Sequence, residues 1–143
     1  MRSFIDRRLL LDTNFLLDAL VEGRPQSQEA WKVLGCCNGG GDMGLATSGL
    51  LKDVYYVLAR GGREAMAREA ISLLTYLLVI VPVGAEECVL ALHVGEPDFE
   101  DGLVRAYAEL NDVDFILARD AHAFKRSRVR EVTCAEYLEI VEG

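Results

Sequence analysis

Cysteine motifs that bind metals are missing from this sequence of 143 residues. Its four cysteines (Cys36, Cys37, Cys88 and Cys134) show no C-x-x-C spacing and have no histidine pair nearby. Zinc sites require such spacing, and structural disulfides are typical of oxidising compartments. We therefore interpret all four as reduced thiols of a cytosolic protein, with neither a zinc site nor a disulfide.

A long apolar run is also missing. The most hydrophobic stretch, residues 71–83, has 13 residues and contains Pro82, so it is too short to cross a bilayer. The first eight residues, MRSFIDRR, are too charged for a signal peptide. We therefore expect a soluble, cytoplasmic protein without a membrane segment.

Positive charge is scarce. The chain has 15 Lys and Arg against 23 Asp and Glu, a formal net charge of −8. Overall charge therefore argues against non-specific binding to a polyanion. It leaves two possibilities for a nucleic-acid partner, a local basic patch or cations recruited by the protein's own acids.

Strand and helix patterns alternate along the chain without a linker or a repeat, which predicts one domain spanning residues 1–143. Apolar segments predict strands at 8–11, 44–47, 79–83, 114–118 and 129–132. Helical patterns fall at 15–21, 27–34, 49–59 (capped by Ser48), 63–76, 85–94, 97–110 and 135–141. This alternation predicts an α/β fold with a mainly parallel, roughly five-stranded sheet and helices on both faces.

Several acids fall where such a sheet binds ligands, beyond the carboxyl ends of its strands. Asp12 follows the first strand and Asp120 the fourth, while Asp53 lies in the helix after the second strand. Asp98 and Asp101 share a face in the first turn of a later helix. We expect all of them to point into one crevice.

Carboxylates gathered in one crevice repel each other. At about 4 Å and an effective dielectric constant near 20, each like-charged pair costs about 4 kcal/mol. Either some of the acids are protonated or a divalent cation lies among them, and an all-oxygen set selects Mg²⁺ or Mn²⁺. Such a site suits the hydrolysis of phosphodiester bonds.

The chain resembles the PIN-domain family in several pieces that occur in the family's order. These are LLLDTNFLLDAL (9–20), ATSGLLKDVYYVLARG (46–61), VPVGAEECVLAL (81–92), PDFEDGLVRAYAEL (97–110) and DFILARDAHAF (114–124). The resemblance implies a three-layer α/β/α fold and Mg²⁺- or Mn²⁺-dependent endoribonuclease activity. Many members of the family are toxins of bacterial toxin–antitoxin pairs, usually dimeric and silenced by a small antitoxin protein. The resemblance makes a toxin role, a homodimer and an antitoxin partner expectations for this chain.

The resemblance assigns the metal ligands residue by residue. Asp12 matches the family's first acid, Asp101 the third and Asp120 the acid after the fourth strand. Asp53 stands where the family more often has Glu, and Ala118 replaces a common Thr or Ser. Losing that hydroxyl weakens support around the metal.

Further candidates lie beside these acids. Asn14 and Ser48 match the family's polar orienting positions, and Asp98 is an additional candidate ligand that also suits the N-cap of its helix. We expect Asp18 and Glu100 to face solvent. His122 follows Asp120 closely, but we favour a surface histidine over a catalytic one.

Other interpretations remain open for the acids themselves. Asp12 can serve as a helix cap. Asp101 can pair with Arg105 four residues later. Asp53 can be a solvated helix residue, and Asp120 can be an N-cap.

Two surfaces suggest macromolecular partners. Four cations are candidates for contacts with RNA phosphates, although a solvated loop explains them almost as well: Arg119, Lys125, Arg126 and Arg128. A predicted helical hairpin carries apolar side chains that suit either a dimer or antitoxin surface or the core: Tyr55, Tyr56, Leu73, Leu74 and Leu77.

Competing functions are less well supported. A phosphatase with an aspartyl nucleophile needs a second Asp two residues after the first, where this chain has Asn14. A response-regulator receiver needs an Asp after the third strand, where Val83 and Gly84 stand. A catalytically weak or inactive PIN-fold module that binds RNA or protein remains the alternative, because of Asp53 and Ala118.

Overall fold

Helices and parallel strands alternate along the chain in the computed structural model, which describes residues 7–39, 41–119 and 123–143. The strands of this part are β1 (Arg8–Leu11), β2 (Met43–Thr47), β3 (Val79–Val81), β4 (Phe115–Leu117) and β5 (Arg130–Val132). The helices are α1 (Thr13–Leu20), α2 (Ser27–Cys37), α3 (Ser48–Ala59), α4 (Glu64–Leu77), α5 (Ala85–Ala91), α6 (Phe99–Leu110) and α7 (Cys134–Glu142).

The strands form one sheet in the order β3-β2-β1-β4-β5, and every neighbouring pair is parallel. The leucine run of β1 lies at its centre, where Leu10 pairs with Leu45 of β2 and Ile116 of β4. All three side chains are fully buried. A continuous apolar run suits a parallel strand that is covered on both faces.

The two faces of the sheet carry separate cores. Leu9 and Leu11 pack in one cluster with residues of α1, α2, α3, α4 and α7. Leu10 points the other way, into a cluster with Val104 and Tyr107 of α6. This alternation is the normal period of a strand. The predicted three-layer α/β/α architecture is thereby confirmed.

The hydrophobic stretch 71–83 divides between the end of α4 and β3, as predicted. Leu74 packs in the core, whereas Tyr76 is 81% exposed. Within the described ranges, no helix is both long enough and apolar enough to cross a membrane.

Element ends differ from the predictions at several points. Thr47, rather than Ser48, caps α3, because its Oγ1 accepts a hydrogen bond from the Leu50 N–H at 3.1 Å. Helix α2 continues to Cys37, three residues beyond the predicted end. Helix α5 ends at Ala91 rather than at residue 94. After it, Leu92 and His93 donate to carbonyls three residues earlier, and Gly95 follows with a φ of 76°. Which side-chain oxygen accepts the capping hydrogen bond, and where a tight turn ends a helix, are local features that apolar periodicity does not resolve.

Candidate active site

Asp12 lies at the carboxyl edge of the sheet, between β1 and α1. Its backbone N–H donates to the Leu117 carbonyl at the end of β4, 3.1 Å away, and its own carbonyl accepts from Leu16 to begin α1. Although Asp12 occupies the N-cap position, its side chain makes no capping hydrogen bond. The helix-cap explanation therefore does not account for this carboxylate.

The start of α6 brings Asp98 and Asp101 to the same edge. Asp98 caps the helix, since its Oδ1 accepts a hydrogen bond from the Asp101 N–H at 2.8 Å. The alternative pairing of Asp101 with Arg105 is not observed, because Arg105 binds Glu96 and Glu109 at 3.0 and 2.8 Å. Asp101 lines the cleft.

These acids line one cleft with a volume of about 460 Å³. Its polar lining consists of Asp12, Thr13, Asn14, Asp53, Asp98, Glu100 and Asp101. Apolar walls come from Leu50, Pro97, Val104, Ala118, Ala123 and Phe124. Within the described part of the chain, no Lys, Arg or His contributes to this lining. The cleft is therefore a concentration of negative charge without a basic side chain among its described walls.

Burial and mutual repulsion disturb two of these carboxyls. Desolvation, with smaller effects of Glu100, Asp53 and Asp98, raises the pKa of Asp12 from 3.8 to about 6. A hydrogen bond from the Thr13 backbone opposes part of that rise. Desolvation likewise raises the pKa of Asp101 to about 6, followed by repulsion from Asp98 and Asp12. Raised carboxyl pKa values in a cleft are typical of functional sites.

The donor chemistry of the cleft fits a hard divalent cation, since carboxylate and amide oxygens are the ligands that Mg²⁺ prefers. The positions of these described side chains do not form a complete set of metal ligands. Among the described residues, no three His, Cys, Asp or Glu side chains lie close enough to hold one ion together. Mg²⁺ keeps several waters and is commonly bound through only one or two carboxylates. Asp12 and Asp101 are the pair that we consider for such binding, because both line the cleft and both have raised pKa values.

Other predicted site residues fall in different places. Asn14 lines the cleft, whereas exposed Ser48 lines an adjoining hollow that shares Asp53 and Glu100 with it. Glu100 is exposed, as expected, and also contributes to the cleft lining, which the sequence did not indicate. Asp120 and His122 lie outside the described residues.

The prediction that Asp18 faces solvent is wrong. Asp18 is 1% exposed, and its Oδ1 binds Arg24 at 3.3 Å and Arg119 at 3.2 Å. The inner face of α1 is thus charged at this point and is neutralised by arginines from two other segments. Arg119 reaches solvent, but its guanidinium is engaged in an ion pair with the buried Asp18, which weakens its candidacy for contacts with RNA.

The other predicted RNA contacts lie on a loop beside the cleft. Ala123 and Phe124 line the cleft, and the side chains of Lys125, Arg126 and Arg128 that follow are exposed. These cations therefore lie close to the acidic pocket, as a surface for a polyanion requires.

The predicted apolar surface on the helical hairpin is only partly present. Leu74 belongs to the core, and Tyr55 and Leu77 pack partly against it. Tyr56 and Leu73 are 62% and 37% exposed. Core packing thus accounts for most of the set and leaves two side chains at the surface.

Comparison with known proteins identifies the family. A PIN domain profile matches residues 8–122, which include both β1 with Asp12 and α6 with Asp101. The chain belongs to the PIN domain family. Comparison with curated proteins finds no match.

Solved structures share this PIN fold at low sequence identity. A chain of the VapBC2 structure from Rickettsia felis, bound to a DNA fragment from their promoter, has a TM-score of 0.70 and 12% identity, and the match covers 88% of this chain and 98% of that one. A chain of FitAcB from Neisseria gonorrhoeae has a TM-score of 0.69 and 20% identity, with 89% and 98% covered. The sarcin-ricin loop cleaving toxin VapC20 from Mycobacterium tuberculosis has a TM-score of 0.67 and 17% identity, with 79% and 90% covered. At such identities these likenesses establish the fold.

Proposed function

We propose that this PIN-domain protein is a Mg²⁺- or Mn²⁺-dependent endoribonuclease that hydrolyses phosphodiester bonds in RNA. The observation that carries the proposal is the acidic cleft, where Asp12 and Asp101 have pKa values raised to about 6. Unpaired carboxylates are costly to bury, so a fold that gathers them gains from binding a cation.

In this proposal Asp12 and Asp101 bind the cation directly and Asp53 binds it through a bridging water, since these three side chains line the cleft without forming a three-ligand group. Asp120, which the resemblance assigns, is the remaining proposed ligand. Asp98 is a weaker candidate, because one of its oxygens already caps α6. When bound, such a cation supplies positive charge to phosphate oxygens and lowers the pKa of a water. Asn14, in the cleft lining, is placed to orient a neighbouring carboxylate or the substrate through its amide.

We further propose that the protein acts as a toxin, is a homodimer, and is silenced by a small antitoxin. The toxin and antitoxin part is supported by the VapBC2 and FitAcB structures named above and by a toxin–antitoxin complex from Klebsiella pneumoniae, which has a TM-score of 0.68, 19% identity and 88% and 97% of the two chains covered. The homodimer rests on the family resemblance alone. A small open reading frame directly before this one, whose product co-purifies with the chain, is the expected sign of such a pair.

The nuclease proposal is tested by RNA cleavage with the purified protein. Wild-type protein is expected to cleave RNA with Mg²⁺ or Mn²⁺ and to lose activity in EDTA, and Asp12→Asn is expected to reduce the rate by about 100-fold or more. Asp112→Asn is the matched control, since Asp112 is exposed, lies outside the cleft lining and has a φ of 56° that Asn also adopts. Equal cleavage by the Asp12 and Asp112 variants would contradict the assignment.

An inactive PIN module that binds RNA or protein is the second candidate. It is favoured by the lack of a three-ligand group among the described residues and by Ala118 and Asp53 at positions where the resemblance implies other side chains. Calorimetric titration with Mn²⁺ separates the two candidates. Absence of binding at millimolar Mn²⁺, together with intact RNA affinity, favours the inactive module.

A further inference from the structure

A buried group of charged side chains holds the segment that follows Ala123, in the wall of the cleft, against the rest of the protein. Arg105 on α6 binds Glu96 and Glu109, and the three side chains are only 12%, 6% and 9% exposed. Charged side chains are rarely buried unless they are paired. This ion cluster (Glu96, Arg105 and Glu109) lies outside the cleft lining.

All three members of the ion cluster bond to the backbone of one segment, residues 124–128. The Phe124 N–H donates to Glu96 Oε1 at 2.8 Å, and an Arg105 nitrogen donates to the Arg126 carbonyl at 3.0 Å. The Arg128 N–H donates to Glu109 Oε2 at 3.2 Å. Three anchors within five residues fix the path of this segment.

The fixed path has two consequences. It holds Phe124 at a φ of 66°, an uncommon conformation for a large side chain, in the wall of the cleft. It also leaves Lys125 and Arg126 exposed. The guanidinium of Arg128 is exposed too, but it donates to the Glu109 carbonyl at 3.3 Å and lies 3.8 Å from Glu109 Oε1. We call residues 123–128 the basic loop.

The basic loop places positive charge beside an acidic cleft. The chain has a formal charge of −8, and five of its acids line the cleft, so an RNA strand is repelled unless cations lie nearby. Phosphate contacts by Lys and Arg release counterions and supply most of the sequence-independent affinity for nucleic acids.

We propose that the basic loop binds the phosphate backbone of single-stranded RNA next to the cleft, and that Arg105 is a positioning residue that holds the loop in place. This inference rests on the proposed function for the identity of the polyanion. Arg105 itself contacts no RNA in this proposal, because its guanidinium is occupied by Glu96, Glu109 and two backbone carbonyls.

The test measures RNA binding in EDTA by fluorescence anisotropy at several KCl concentrations, so that no cleavage takes place. The double variant Lys125→Ala/Arg126→Ala is expected to bind less tightly and to reduce the salt slope by about 1.4, or about 0.7 for each lost contact. Arg105→Gln is expected to weaken binding about tenfold at about 50 mM salt. Arg68→Gln, which removes an exposed cation of α4, is the control and is expected to bind like wild type.

Amide hydrogen exchange separates positioning from general destabilisation. In Arg105→Gln the Phe124 and Arg128 amides are expected to exchange faster, while those of Leu10 and Ile116 in the sheet stay protected. Glu96→Gln serves the same purpose if Arg105→Gln does not fold. Unchanged exchange at both loop amides, or RNA affinity unchanged in the loop variants, overturns the proposal.

The outcomes also separate this inference from the nuclease proposal. RNA bound through the basic loop without cleavage in Mg²⁺ supports the inference and refutes the nuclease. Cleavage by variants that bind as tightly as wild type refutes the inference and leaves the nuclease proposal intact. Failure of wild-type protein to bind RNA in EDTA at low salt overturns the inference.

Discussion

Two aspartates six residues apart, one at the N-cap of α1 and one inside that helix, meet opposite electrostatic environments. Asp18 is buried on the inner face of α1 and binds both Arg24 and Arg119. Asp12, just before the same helix, lies in a cleft whose described lining includes four further acids and no basic side chain. The difference between the two lies in what surrounds them.

The comparison shows that this fold can place arginine side chains beside a buried carboxylate and so neutralise its charge. At Asp18 it brings an arginine from 101 residues away to do so. At Asp12 it brings further acids and raises the pKa to about 6. Under the proposed function, a cation bound in the cleft would neutralise Asp12 as the arginines neutralise Asp18.

The largest effect on stability is expected where the neutralising arginines lose their partner. Asp18→Asn should lower the free energy of unfolding by about 2 to 3 kcal/mol. Breaking a fully buried ion pair costs about 3 to 5 kcal/mol, and the loss is smaller here because both arginines reach solvent. Urea unfolding near pH 7 measures the loss. Asp112→Asn should stay within about 0.5 kcal/mol of wild type. A loss at Asp18 as small as that of the control would remove the contrast between the two aspartates.

At Asp12 we expect the change in the free energy of unfolding to have the opposite sign. Because its pKa is raised from 3.8 to about 6, ionisation destabilises the metal-free fold, and the penalty grows from about pH 4 to about pH 6 and is constant above. Asp12→Asn should therefore stabilise the metal-free protein by about 1 to 2 kcal/mol near pH 8 and have little effect near pH 3.5. Urea unfolding in EDTA at both pH values measures this. Destabilisation near pH 8 would mean that Asp12 has a favourable partner.

The smallest effect is expected from the metal itself. At about ten times its dissociation constant, Mn²⁺ should stabilise wild-type protein by about 1.4 kcal/mol near pH 8. Near pH 5, where Asp12 and Asp101 are largely protonated, the gain should fall sharply. Thermal unfolding with and without Mn²⁺ provides the measurement, and Asp12→Asn should show little gain at either pH. An equal shift in that variant would place the ion elsewhere.

The sequence predicted the features that depend on local pattern and on the geometry of parallel sheets. The leucine run of β1 identified a central buried strand, and Asp98 identified the start of α6. The gathering of Asp12 and Asp101 followed because ligands bind beyond the carboxyl ends of parallel strands, the edge at which Asp12 follows β1 and Asp101 lies in the first turn of α6. Asp53 joined them because α3 follows β2 directly.

The features that were missed depend on contacts between distant segments. Asp18 was placed at the surface because a polar residue on a short helix is usually exposed, and only the tertiary structure brings Arg119 to it. Glu96 lies 28 residues from Phe124, and no local pattern indicates that they bond. The spacing of Arg24, six residues after Asp18 across a turn, was the one available hint.

The central claim is that the cleft carboxylates bind a divalent cation. Its most direct test is an NMR titration of the Asp12 and Asp101 side-chain carboxyls with and without Mg²⁺. In EDTA both are predicted to titrate near pH 6, and in saturating Mg²⁺ both midpoints should move to lower pH, because the cation favours the charged forms. Titration of both groups near their ordinary value of 3.8, with no response to Mg²⁺, would contradict the account.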